Sequence, residues 1–344
     1  MNCIFFFFLV FLLCLSSKVS SQNQNMFDFD DDLCYDKNSP ACTRNSMDIC
    51  SQAGQIISDN LILTKRISVY IAVENLGETP YYAATYSTQQ PYNNPENGVV
   101  IYYPTALIKQ LDPDFDYDGP DMTIQINSYY DQNILYFRDD PIEGFQVDYL
   151  ELILHELQHG LGVFSFWYSE LINDSDLFPD YDYEAEANDA ITFYNFKQDI
   201  FDTFLVSLDN NNAQTTTYVE DLNNMAGPSS TYYNTYDDFY NELRNKQQEQ
   251  GKTYTHDMLT MTTTSHKLGF LPKNGGAAIV LDTSFNPLID GKSIIHFDDE
   301  LYKTSPEFLL IPEMEPGKKL EDKIQDYENA RQNYIKLAEL HKNQ

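Results

Sequence analysis

Apolar and polar positions along this chain recur in blocks whose period switches between two and about 3.6 residues, the signatures of strands and helices. Ile67-Ser-Val-Tyr-Ile-Ala-Val73 interleaves branched and small residues as a strand does, and Val99-Val-Ile-Tyr-Tyr103 is a second such run. Met122-Thr-Ile-Gln-Ile-Asn127 alternates strictly and predicts a half-buried strand. Residues 48–64 and Thr105–Leu111 read as helices, whereas Thr79–Asn97, rich in Tyr, Pro, Gln and Asn, reads as a loop. Asp148-Tyr-Leu-Glu-Leu-Ile-Leu then runs without Gly or Pro into His155-Glu-Leu-Gln-His159, and Gly160-Leu-Gly162 stops that helix. Downstream, Tyr183–Leu205 and Tyr236–Gln250 read as helical, and Asn210–Tyr233 is low in apolar residues. Residues 266–312 turn β-like again, with Gly275-Gly276 ahead of a strand at Ala277–Leu281, and a charged peripheral helix follows from Glu315. The order predicts an α+β layer with the His155–His159 helix beneath a sheet.

The two ends of the chain add a compartment and a charge. Residues 1–15 are an apolar run too short to span a bilayer comfortably, and small residues follow it at Ser16-Ser17-Lys18-Val19-Ser20-Ser21. That pattern predicts a signal peptide over about 1–21, a secreted or lumenal protein, and no membrane span. Loss of residues 1–21 removes one Lys and no acid, moving the formal charge from −32 to −33. So acidic a chain argues against nucleic acid as a partner. Of five cysteines, Cys34, Cys42 and Cys50 remain after that cleavage. An odd count predicts one local disulfide with one thiol left over, or a leftover thiolate that caps a metal in a latent form. Asn173-Asp174-Ser175 is a glycosylation acceptor suited to a surface loop.

The chemistry lies in His155-Glu156-Leu157-Gln158-His159. On a helix, positions i and i+4 share a face, so both imidazoles can grip one ion, and Glu156 can reach a water held there as general base. A catalytic zinc takes a third protein ligand. The compact metzincin spacing puts that ligand at Ser165, which is a poor one. A glutamate-type zincin would use Glu184 or Glu186, and His266 is a further possibility.

A better candidate is His296. Gly291-Lys-Ser-Ile-Ile-His296-Phe-Asp298, followed by Glu307-Phe-Leu-Leu310-Ile-Pro312, resembles the distant third-histidine segment and turn of leishmanolysin-like metzincins. The chain is still more similar to secreted bacterial and fungal metalloproteases bearing His-Glu-x-x-His-Gly-Leu-Gly-Phe. The resemblance covers roughly residues 50–315 in patches, including Ile124-Gln-Ile-Asn127-Ser128 and Gly275-Gly276. It implies a zincin, metzincin-like and two-lobed, with a twisted sheet above the active-site helix. It further implies zinc on His155, His159 and His296, Glu156 polarising the water, Gly162 making the turn, and protein or peptide substrates extended along the edge of the Met122–Asn127 strand. Leu310 stands where the family has Met, and Val163 where it has Phe. The matching organisation is an acidic, Cys-containing arm at 22–47, a zincin lobe at 48–164, an insertion at 165–265, a second lobe at 266–314 and the charged tail at 315–344. Two other readings stay open: a glutamate-ligated peptidase, and a non-catalytic secreted binding or adhesion protein with a vestigial metal site.

Overall fold

The computed structural model describes residues 24–326, apart from residues 32, 94–99, 113, 132, 139, 174, 210–211 and 273–276. The predicted signal peptide, Gly275-Gly276 and the tail beyond residue 326 lie outside the described residues. Among those described, no helix is long and apolar enough to cross a membrane. The fold is mixed α+β. It forms two compact units, one from the segments up to Gln89, Pro104–Gly162 and Asp299 onward, the other from Gln90–Tyr103 and Val163–Asp298.

The first unit is built on four strands: β1 (Phe27–Asp30), β2 (Ile67–Glu74), β3 (Ala83–Ser87) and β4 (Met122–Asn127). Their order is β1-β2-β4-β3. β2 runs parallel to both β1 and β4, with Val69 opposite Met122, whereas β3 is antiparallel to β4, with Thr85 opposite Ile124. Ile67, Val69, Ile71 and Val73 on β2, and Met122, Ile124 and Ile126 on β4, are all fully buried, so period two puts one set of side chains into the core. Beneath lie α1 (Arg44–Asn60), α2 (Thr105–Leu111) and α3 (Tyr149–Leu161). α1 is capped by Thr43, whose hydroxyl accepts from the Ser46 amide, and it buries Ile49, Cys50, Ala53 and Ile57 at helical spacing.

Three sequence expectations change here. The described part of the 22–47 arm is not a free arm, because β1 is an edge strand of the sheet and a Cys34–Cys42 disulfide closes the loop behind it. Thr79–Asn97 is not a loop throughout: β3 forms there by pairing with β4, and a strand at Gln89–Asn93 forms by pairing with Val100–Pro104, so strand pairing outweighs the turn-rich composition. The charged tail is not peripheral where it is described, since Leu320 is buried and Lys323 reaches the core.

In the second unit, a three-stranded antiparallel sheet joins Tyr181–Ala185, Ile191–Phe196 and Thr231–Tyr233. Tyr183–Leu205 therefore does not form the expected helix; only short 3-10 turns at Ala187–Asp189 and Phe201–Phe204 interrupt its strands. Its buried Ile191 and Phe193 alternate with partly exposed Thr192 and Tyr194, and the left-handed residues Asn188 and Asp189 make the turn. A second sheet joins Leu205–Ser207 to Ala213–Gln214 and Leu268–Phe270, with Ile279–Val280 at its edge. The expected helix at Tyr236–Gln250 forms over Tyr236–Glu249, and Thr216–Ala226 is a further helix.

Candidate metal centre

α3 carries the motif, and its whole length from Tyr149 to Gly160 is buried. Asp148 caps it, accepting the Leu150 amide at 3.1 Å. At its far end Gly162 has φ +134° and donates its amide to the Gln158 and His159 carbonyls, a backbone shape that glycine adopts without strain. A Cβ on Gly160 would land on the Met122 sulfur, so that glycine sets how closely α3 approaches β4.

One helical turn apart, His155 and His159 bring their Nε2 atoms to 3.1 Å. Two nitrogens bound tetrahedrally at about 2.0–2.1 Å from one zinc would stand about 3.3 Å apart. The structure gathers His155, His159 and His296, all buried, with one ligand nitrogen from each within 4.8 Å of the others. His155 donates Nδ1–H to the Leu309 carbonyl at 2.7 Å, and His296 donates Nδ1–H to the Lys292 carbonyl at 3.0 Å. Those bonds leave Nε2 of both rings as the lone-pair nitrogen, the tautomer a metal needs. Burial, with His159 alongside, pushes His155 down to about 3. Three buried imidazoles gathered in this way fit a divalent metal cation.

Glu156, buried on the same helix, accepts the Thr85 hydroxyl on Oε2 at 2.7 Å. Burial pushes its carboxyl up to about 7, against the lowering effect of Thr85. A cation at the three nitrogens would pull it back down.

The other candidates sit elsewhere. Ser165 donates to Asp202 at 2.6 Å. Glu184 and Glu186 are exposed and accept from Tyr194 and Thr192. His266 pairs with Asp298 at 3.1 Å. None of them joins the histidine group among the described residues. The thiolate-cap idea is also corrected. Cys50 is packed within the first unit with its sulfur 3.9 Å from the Tyr149 hydroxyl, and burial pushes its thiol up to about 12. Leu310 is buried in the short Pro306–Leu310 helix, where the backbone of its neighbour Leu309 holds His155. Asn173 ends the strand Trp167–Asn173.

Sequence reasoning missed Thr85 and the Leu309 carbonyl. It also missed the pairing of Glu151, one turn before His155, with Lys323, whose ammonium bonds both carboxylate oxygens at 2.7 and 2.8 Å. No local pattern announces these contacts. The nearest signal was Glu151 itself, an acid set in the apolar run that leads into the motif.

A family model matches residues 12–330, nearly the whole chain. The chain belongs to the SPBPB7E8-like family. It is 27% identical over 255 residues to the uncharacterized protein PB7E8.01 of Schizosaccharomyces pombe, covering 67% of this chain and 42% of that protein. The chain thus spans less than half the length of this relative. No solved structure matches it.

Proposed function

We propose that this chain is a secreted zinc endopeptidase of the metzincin-like zincin type, delivered by a signal peptide at about 1–21. The observation that carries the reading is the buried group His155, His159 and His296 with Glu156 on the same helix turn. Zinc bound there supplies a Lewis acid for a peptide carbonyl and lowers the pKa of water to about 7. His155 and His159 hold it from α3, and His296 closes the set. Glu156 takes the water's proton as general base and returns it to the leaving amine. The peptide lies extended against the sheet. The resemblance implies Met122–Asn127 as the docking strand, but β4 is paired on both sides, by β2 and β3, and among the described residues β3 is the edge strand beside it, which supports β3 as the strand a peptide pairs with. A glutamate-ligated peptidase draws no support from Glu184 or Glu186 where they stand.

Elemental analysis and casein proteolysis on wild type, His296→Ala and Glu156→Gln test the reading together. Expected are one zinc per wild-type chain, loss of zinc and turnover in His296→Ala, and zinc without turnover in Glu156→Gln. Wild type without zinc or proteolysis would refute it in favour of a binding protein.

A further inference from the structure

Thr85 sits on the antiparallel edge strand β3, and alternation turns its side chain toward α3 while Tyr86, next in line, is exposed and meets Gln125 on the outer face. Its hydroxyl donates to Glu156 Oε2 at 2.7 Å. Among the described residues this is the side-chain hydrogen bond that Glu156 makes, and the residue is only 4% exposed. A buried carboxylate held at one oxygen can pivot little, so the other oxygen is presented in a fixed direction. We propose that Thr85 is a positioning residue that anchors Glu156 Oε2 and leaves Oε1 as the oxygen that receives the proton. The inference rests on the peptidase reading for its catalytic meaning. As the water oxygen bonds the scissile carbonyl carbon and one of its O–H bonds breaks, the new O–H bond forms on Oε1, while the Thr85 hydroxyl donates to Oε2 throughout. The bond comes from the edge strand that the peptidase reading pairs with the peptide, so on that reading docking and base orientation share one element.

The contact also explains why Thr, rather than Val, suits a strand position facing a helix. The two side chains are nearly isosteric, and only the hydroxyl distinguishes them.

The test compares Thr85→Val and Thr85→Ala, which lack the hydroxyl, with Thr85→Ser, which keeps it. Zinc content, kcat and KM on a fluorogenic peptide, and the infrared carboxylate stretch that disappears in Glu156→Gln are measured on each. Expected are full zinc in all three, kcat lower by about tenfold or more in the Val and Ala variants with KM little changed, and near-wild-type kcat in Thr85→Ser. The Glu156 band should move in the Val and Ala variants and stay in place in Thr85→Ser. Wild-type kcat in both hydroxyl-free variants, or an unmoved band, overturns the proposal, as does an equal loss in Thr85→Ser. A wild type that binds zinc and cleaves nothing defeats the peptidase reading instead, and the infrared band then still decides whether Thr85 anchors Glu156. Thr85→Ala covers the case in which Thr85→Val does not fold.

Discussion

Replacing Lys323 by Met removes the partner of a carboxylate that sits inside the unit carrying the metal helix. The Glu151 and Lys323 side chains are 4% and 8% exposed, and the ammonium reaches both carboxylate oxygens. Breaking a buried pair from one side costs about 3–5 kcal/mol, because the remaining charge has neither water nor a counter-ion. The pH dependence has a definite sign. Burial raises the Glu151 carboxyl to about 7, even with Lys323 lowering it. A carboxyl whose folded pKa lies above its unfolded value stabilises the fold fully below the unfolded value and loses that contribution as pH rises through 7. The difference between about 7 and the ordinary 4.5 corresponds to about 3 kcal/mol across that window. Without Lys323 the rise is steeper, so the deficit of Lys323→Met should be larger at pH 8 than at pH 5. Urea unfolding of the metal-free protein at both pH values measures it. Glu151→Gln added to Lys323→Met should recover most of the loss, since no charge is then left buried. A deficit under about 1 kcal/mol at pH 8, or one equal at the two pH values, would refute the reasoning.

Gly160→Ala should destabilise the metal-free protein by about 1–3 kcal/mol, because its Cβ meets Met122, and Met122→Ala in the same chain should relieve part of it in thermal unfolding. Removing the Cys34–Cys42 disulfide by a double Ser substitution should cost about 2–3 kcal/mol from the short loop it closes, measured by urea unfolding.

How much was legible in advance follows the range of each interaction. The strand Met122–Asn127 and the helix Thr105–Leu111 were legible to the residue, and the metal helix nearly so, because their signal is a repeat within a few neighbours. Tyr183–Leu205 misled because its aromatic and acidic residues suit a helix face, yet Ile191–Phe196 gains more by pairing on both sides with Tyr181–Ala185 and Thr231–Tyr233. Composition likewise hid β3, which is set by the register it finds on β4. Of the candidate site, His155, Glu156 and His159 could be named from spacing and His296 from resemblance. Thr85 and the Leu309 carbonyl could not.

By itself, then, the sequence determined that two imidazoles four residues apart share a helix face beside a glutamate, since 3.6 residues per turn leaves them no other arrangement. Only the tertiary structure decided what surrounds that face. It brought the His296 ring to the pair, the Leu309 carbonyl to Nδ1 of His155, the Thr85 hydroxyl to Glu156 and the Lys323 ammonium to Glu151. These partners lie from about 70 to more than 170 residues away along the chain. No periodicity reaches that far. Burial selects them, because each polar group carried into the core on α3 must find its partner there.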